Sequence, residues 1–138
     1  MRENPKSVGE RSEGMVLAAL LRSGRVVLQP FGDNQRYDLV IDEGGGRFVR
    51  LQCKTAQLTK GVLRFNTCSS QTHKATGKRD YRGDIEAFAV YSPVLDKVYI
   101  VPVGEVGTGT GFLRLQAPKN NQTKGIRLAA QYELGAAR

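Results

Sequence analysis

Two short stretches, Ile85–Tyr91 and Val98–Val103, are almost wholly apolar and are separated by Ser92-Pro93-Val94-Leu95-Asp96-Lys97, a turn-forming segment. Runs of this length are β-strands, and strands without polar alternation lie in the middle of a sheet with both faces covered. A single long helix supplies only part of that cover. Further strands are expected at Arg25–Gln29, Tyr37–Ile41, Arg47–Thr55 and Val62–Phe65. Asp42-Glu43-Gly44-Gly45-Gly46 joins the second and third of these as a hairpin, because glycine tolerates the positive φ of tight turns. Residues 68–82 read as a long polar segment, 104–111 as a loop, 112–115 as a strand and 126–134 as a short closing helix. One helix followed by a hairpin-rich mixed sheet makes the chain α/β or α+β in class. With 138 residues and 40% apolar side chains, one domain over 1–138 is expected.

The N-terminal helix has two candidate starts. Ser7-Val8-Gly9-Glu10 has the form of a capping box, and Asn4-Pro5 competes one turn earlier. The helix should end at Gly24, which suits the left-handed conformation after a last turn. Val16, Leu17 and Leu20 follow Glu13 at helical spacing, so Glu13 points with the apolar face.

Charge is unevenly distributed. The chain has 21 Lys and Arg against 13 Asp and Glu, a net +8 with its single His neutral. The whole excess falls in residues 44–83, where nine basic side chains face Asp80 alone. A contiguous basic segment suits a polyanion, nucleic acid before membrane, although a solvated basic loop has the same composition. No apolar run approaches a membrane span and the first residues lack a signal-peptide core, so a cytoplasmic location is expected. Cys53 and Cys68 are too few for a disulfide framework and lack zinc-site spacing; both read as reduced thiols. Gly107–Gly111 lacks the residues of a phosphate loop and reads as a flexible turn, and Asn120–Lys124 as a solvated loop.

Alternation along 47–55 puts Phe48, Arg50, Gln52 and Lys54 on one face and Val49, Leu51 and Cys53 on the other. Antiparallel pairing around the glycine turn sets Asp38 near Gln52. Asp38, Gln52 and Lys54 then converge, with Glu13 expected from a helix packed on the same side. Two carboxylates, an amide oxygen and a lysine beside a basic track suit phosphodiester hydrolysis. Hard cations such as Mg²⁺ prefer oxygen ligands, and a lysine can orient water and stabilise charge on phosphate. A salt-bridged Asp–Lys pair on a half-exposed hairpin is the plainer alternative.

Taken in order, Glu13 on a helix, Tyr37-Asp38-Leu39-Val40 and Leu51-Gln52-Cys53-Lys54-Thr55 resemble the PD-(D/E)xK nuclease superfamily. Within it the chain is similar to archaeal-type Holliday junction resolvases and to the intron-encoded homing endonucleases of the same fold. The likeness spans residues 7–56 and, more loosely, 81–91 and 98–103. It implies a restriction-endonuclease-like core, with the N-terminal helix packed on a central mixed β-sheet. It implies Glu13, Asp38, Gln52 and Lys54 as catalytic residues, with Glu13, Asp38, Gln52 and the Cys53 backbone carbonyl holding Mg²⁺, or Mn²⁺ in its place. Gln52 stands where the usual pattern has an acid, as in the homing endonucleases, and gives the metal one anionic ligand fewer. Arg36, Arg50, Lys60, Arg64, His73, Lys74, Lys78, Arg79 and Arg82 are the candidate DNA contacts. No DNA-reading module is visible beyond the catalytic fold, so the expected activity is junction resolution by a homodimer, or a tetramer, with Ile85–Tyr91 and Val98–Val103 as dimer contact or core. A homing endonuclease and a non-catalytic DNA-binding relative are the alternatives.

Overall fold

A computed structural model describes residues 3–70, 78–122 and 124–135. Helix α1 (Pro5–Arg22) uses the earlier of its two possible starts: the Asn4 side chain accepts from the Lys6 backbone N–H at 2.8 Å and Pro5 opens the first turn. Gly24, at φ +84°, turns the chain out of the helix. The strands among the described residues are β1 (Val26–Leu28), β2 (Leu39–Gly44), β3 (Arg47–Thr55), β4 (Gln57–Thr59), β5 (Val62–Asn66), β6 (Cys68–Ser70), β7 (Lys78–Asp80), β8 (Ala87–Ser92), β9 (Lys97–Pro102) and β10 (Thr110–Arg114).

Five of them form a mixed sheet in the order β1-β2-β3-β8-β9, with β3 and β8 parallel and the other neighbours antiparallel. Every residue of β8 is buried. On one face Val16 and Leu20 of α1 pack against Leu39, Ile41, Leu51, Ala87, Ala89, Tyr91 and Val98. The opposite face meets a second layer, the three-stranded sheet β10-β5-β4, through Leu63, Phe65 and Leu113 against Phe88, Val90, Tyr99 and Val101. That second sheet is the cover that one helix could not provide. Within the second sheet Phe65 lies over its cross-strand partner Gly111: a Cβ there would stand 2.5 Å from the ring. Phe65 also meets Phe88 edge to face, with ring centroids 5.8 Å apart.

Three expectations change. The segment 68–82 is not all loop, since β6 and β7 pair antiparallel with Ser69 opposite Arg79. Residues 126–134 form no closing helix beyond a 3₁₀ turn at Ala129–Gln131. Their backbone instead bonds to strand edges, with Ile100 N–H to Tyr132 O and Leu134 N–H to Val98 O both at 2.8 Å, and these covering bonds outweigh local helix formation. Finally, of the two roles expected for Ile85–Tyr91, dimer contact or core, the wholly buried β8 takes the core.

Candidate active site

The β2–β3 hairpin fixes the first two site residues. Leu39 pairs with Leu51, and the Asp38 N–H donates to Leu51 O at 2.7 Å, which places Asp38 opposite Gln52. The turn holds this register through Gly44, Gly45 and Gly46, all at positive φ. A slip of one residue would turn Gln52 and Lys54 to the helix side of the sheet. Asp38 Oδ2 accepts from Gln52 Nε2 and from the Cys53 N–H, each at 2.8 Å. Two residues on, Lys54 Nζ donates to the Tyr81 hydroxyl at 3.3 Å and sits 4.8 Å from the Tyr81 ring centroid.

Glu13 reaches the site from the other face. Its helix packs on the side of Leu51, not on that of Gln52 and Lys54 as the sequence suggested, because the stripe of Val16 and Leu20 finds its apolar partners there. Periodicity names a helix's buried stripe but not the sheet face that receives it. The neighbouring Ser12 is buried and its hydroxyl lies 2.5 Å from that of Thr55, tying the turn that carries Glu13 to the end of β3. Glu13 and Asp38 then line one cleft of about 300 Å³ together with Gln29, Asp33 and Tyr37.

Burial raises the Asp38 carboxyl above its ordinary range, against the opposing pull of the Cys53 N–H and the Lys54 charge. Glu13 is raised as well, first by burial and then by the negative charges of Asp38 and Glu10. The Cys53 thiol is pushed far up by burial, with Asp38 and Glu13 adding to the effect, so it acts as an apolar neighbour and not as a thiolate ligand. Two carboxyls whose charged forms are held at a cost, beside the Gln52 amide and the Cys53 carbonyl, make an all-oxygen donor set that fits a hard divalent cation. The Gln52 amide presents its NH₂ to Asp38, and a half-turn of that amide would present its oxygen instead. Among the described residues no three His, Cys, Asp or Glu side chains gather into a metal cage.

Residues 3–135 match the model of the PD-(D/E)XK endonuclease family. The chain belongs to this family. Its fold is similar to that of a bacterial homing endonuclease, I-Ssp6803I, at 21% identity and a TM-score of 0.68, over 96% of this chain and 88% of that one. Comparison with curated proteins finds no match.

In this PD-(D/E)XK endonuclease the candidate DNA contacts separate into three groups. Arg36 is internal: it donates to Asp80 O at 2.7 Å, Asp84 Oδ2 and Ser69 Oγ at 2.8 Å and Arg79 O at 3.3 Å, and lies 4.0 Å from the Tyr81 ring centroid. Its expected place on DNA is corrected accordingly, since the side chain is only 18% exposed and both terminal nitrogens are engaged. Arg50 is paired with Glu86, whose carboxyl it holds below the usual range, and Glu86 also accepts from the Arg50 N–H at 2.7 Å. Lys60, Arg64, Arg79 and Arg82 are exposed, Arg79 with Asp84 at 3.4 Å. Lys78 contributes its backbone to β7, whereas His73 and Lys74 lie outside the described residues. Tyr81 and Ser12 are the positions that sequence reasoning missed. Tyr81 is a tyrosine in a polar stretch whose meaning depends on Lys54, 27 residues away.

Proposed function

We propose that this nuclease is a divalent-metal-dependent endodeoxyribonuclease that cuts duplex DNA at selected sites, in the manner of a homing endonuclease. One observation carries the chemistry: Gln52 and Lys54 act on Asp38 from the same hairpin, while Glu13 lines the Asp38 cleft from α1. A bound Mg²⁺, or Mn²⁺, would be held by Asp38, Glu13, the Gln52 amide oxygen and the Cys53 carbonyl, and would supply a Lewis acid and an activated water. Lys54, oriented by Tyr81, stabilises the charge that gathers on phosphate and positions the attacking water. Gln52 keeps a ligating oxygen with no charge, so metal affinity is moderate and the site stays near neutral when loaded.

Site selection is supported by Gln52 at the place of the acid, by the fold shared with a homing endonuclease over most of that chain, and by the second sheet, whose outer surface adds area for DNA. Resolution of four-way junctions is the second reading. It is favoured by exposed cations such as Arg79 and Arg82, suited to phosphates and to shape, and paired nicks would require a homodimer. Cleavage of a synthetic four-way junction beside a randomised duplex library, in Mg²⁺, separates the two. One preferred duplex site supports the homing reading, and symmetric nicking of the junction without sequence preference supports the other. Cutting that survives Asp38→Ala unchanged would overturn the catalytic assignment.

A further inference from the structure

The outer face of the second sheet has a composition that packing does not require. Inward, β4, β5 and β10 point Leu58, Leu63, Phe65 and Leu113 into the core. Outward, register places Gln57, Arg64 and Phe112 in one row across the three strands, with Thr59, Val62 and Arg114 in the next. A cleft of about 690 Å³ lies over this face, walled by Ile126 and Arg127 from the segment that runs beside β10 through the Arg114 N–H to Arg127 O bond. Lys60, Arg64, Arg114 and Arg127 line it, with no carboxylate among the described residues that do. Phe112 is 53% exposed there, an aromatic ring left in solvent beside guanidinium groups.

We infer that this face reads base edges of the DNA flanking the cut. The residue types are those of direct readout. Arginine pairs with the guanine edge, glutamine with adenine, and threonine or phenylalanine meets the thymine methyl. Strands also suit the site: a β-ribbon enters the major groove, and three strands about 4.8 Å apart span roughly 10 Å. Charge selects the occupant. A second copy of this face would set four cations against four, whereas a polyanion is attracted by all of them. The position is right for a flank, because Gln57 opens β4 three residues after Lys54 of β3, at most about 10 Å along the chain, and Arg64 donates to Gln57 Oε1 at 3.2 Å. The inference rests on the nuclease reading for its substrate but places recognition away from the residues that cut.

The test uses the full chain and short duplexes with a randomised flank, selected for binding without divalent metal so that cutting is not needed. Arg64→Ala, Arg114→Ala and Phe112→Ala change side chains of the outer face, exposed at Arg64 and Phe112 and half-buried at Arg114, and are checked for native folding by circular dichroism. The wild type is expected to enrich a flanking sequence. Each arginine variant should lose about tenfold or more of the discrimination at one base position while its other preferences hold. Arg47→Ala, off this face and 81% exposed, serves as the control that shifts affinity alone. Variants that enrich the same sequence as the wild type overturn the inference, as does a wild type with no flank preference. Failure of the nuclease reading is distinct: wild-type protein that binds the selected duplex and never cuts it in Mg²⁺ leaves base reading supported and the catalytic assignment refuted.

Discussion

Arg36→Ala offers a direct contest between an internal and a DNA-facing role for one arginine. In the fold the guanidinium makes four hydrogen bonds, one of them to the Asp84 carboxylate at 2.8 Å, and lies 4.0 Å from the Tyr81 ring centroid. A bond to a charged partner contributes about 1.5–3 kcal/mol, a neutral one about 0.5–1.5, and a cation–π contact about 0.5–1. The sum overstates the loss, because the freed carbonyls regain water and Asp84 keeps Arg79 at 3.4 Å. Removing the side chain should therefore destabilise the fold by about 2–4 kcal/mol, read as a lower urea midpoint at unchanged slope. Arg36→Lys should recover only a fraction, since an ammonium cannot reproduce the fork. DNA affinity measured against salt supplies the second readout. Each lost phosphate contact lowers the log–log slope by about 0.9, and Arg36→Ala should leave it where it is. A variant that keeps its stability within about 0.5 kcal/mol and loses about 0.9 of slope would refute the internal role.

Tyr81→Phe keeps the ring but removes the acceptor for Lys54, so kcat should fall about tenfold with KM little changed and the urea midpoint nearly that of the wild type. Gly111→Ala, whose Cβ would meet the Phe65 ring at 2.5 Å, should cost about 1–3 kcal/mol in equilibrium unfolding. Glu13 and Asp38 both have raised pKa values in the folded chain, chiefly through burial. Their contribution to stability is thus full below the ordinary carboxylate range near about 4 and is lost as pH rises through the raised values. Without divalent metal, Glu13→Gln should flatten that decline in a pH series of melting curves. Gln52→Glu restores an anionic ligand and should tighten Mg²⁺, seen by calorimetry, with activity at least preserved.

The sequence made some of this legible because the relevant physics is local. Asn4-Pro5 and Ser7–Glu10 marked the helix start to within a turn, the stripe from Val16 to Leu20 put Glu13 on its buried side, and the glycine turn with its flanking alternation set Asp38 against Gln52. What stayed hidden depends on contacts between distant segments. β4, β5 and β10 are short, and their identity as a layer comes from Phe112 lying opposite Arg64 and Arg64 opposite Gln57. Arg36 sits among turn formers with no periodicity, and its partners Asp80 and Asp84 are 44 and 48 residues away. The face on which α1 lands is likewise decided by Leu39, Leu51 and Ala89 coming together, which no single stretch records.

The same distinction reinterprets the charge. Counted along the chain, the net +8 belongs to residues 44–83. Folding re-sorts it: Glu86 takes up Arg50 and Asp84 takes up Arg79 together with Arg36, so part of the basic segment is neutralised by acids that follow it. Meanwhile Arg114 and Arg127, which lie beyond the segment, join Lys60 and Arg64 around the outer cleft. The surface available to phosphate is thus set by strand pairing and not by the contiguity of basic residues. An internally paired arginine releases few counterions on binding, so Arg50→Ala should leave the salt slope of DNA affinity where it is, whereas Arg64→Ala should lower it by about 0.9. A loss of about 0.9 of slope in Arg50→Ala would mean that Arg50–Glu86 opens on DNA, and Glu86→Gln would then leave affinity unchanged or raise it.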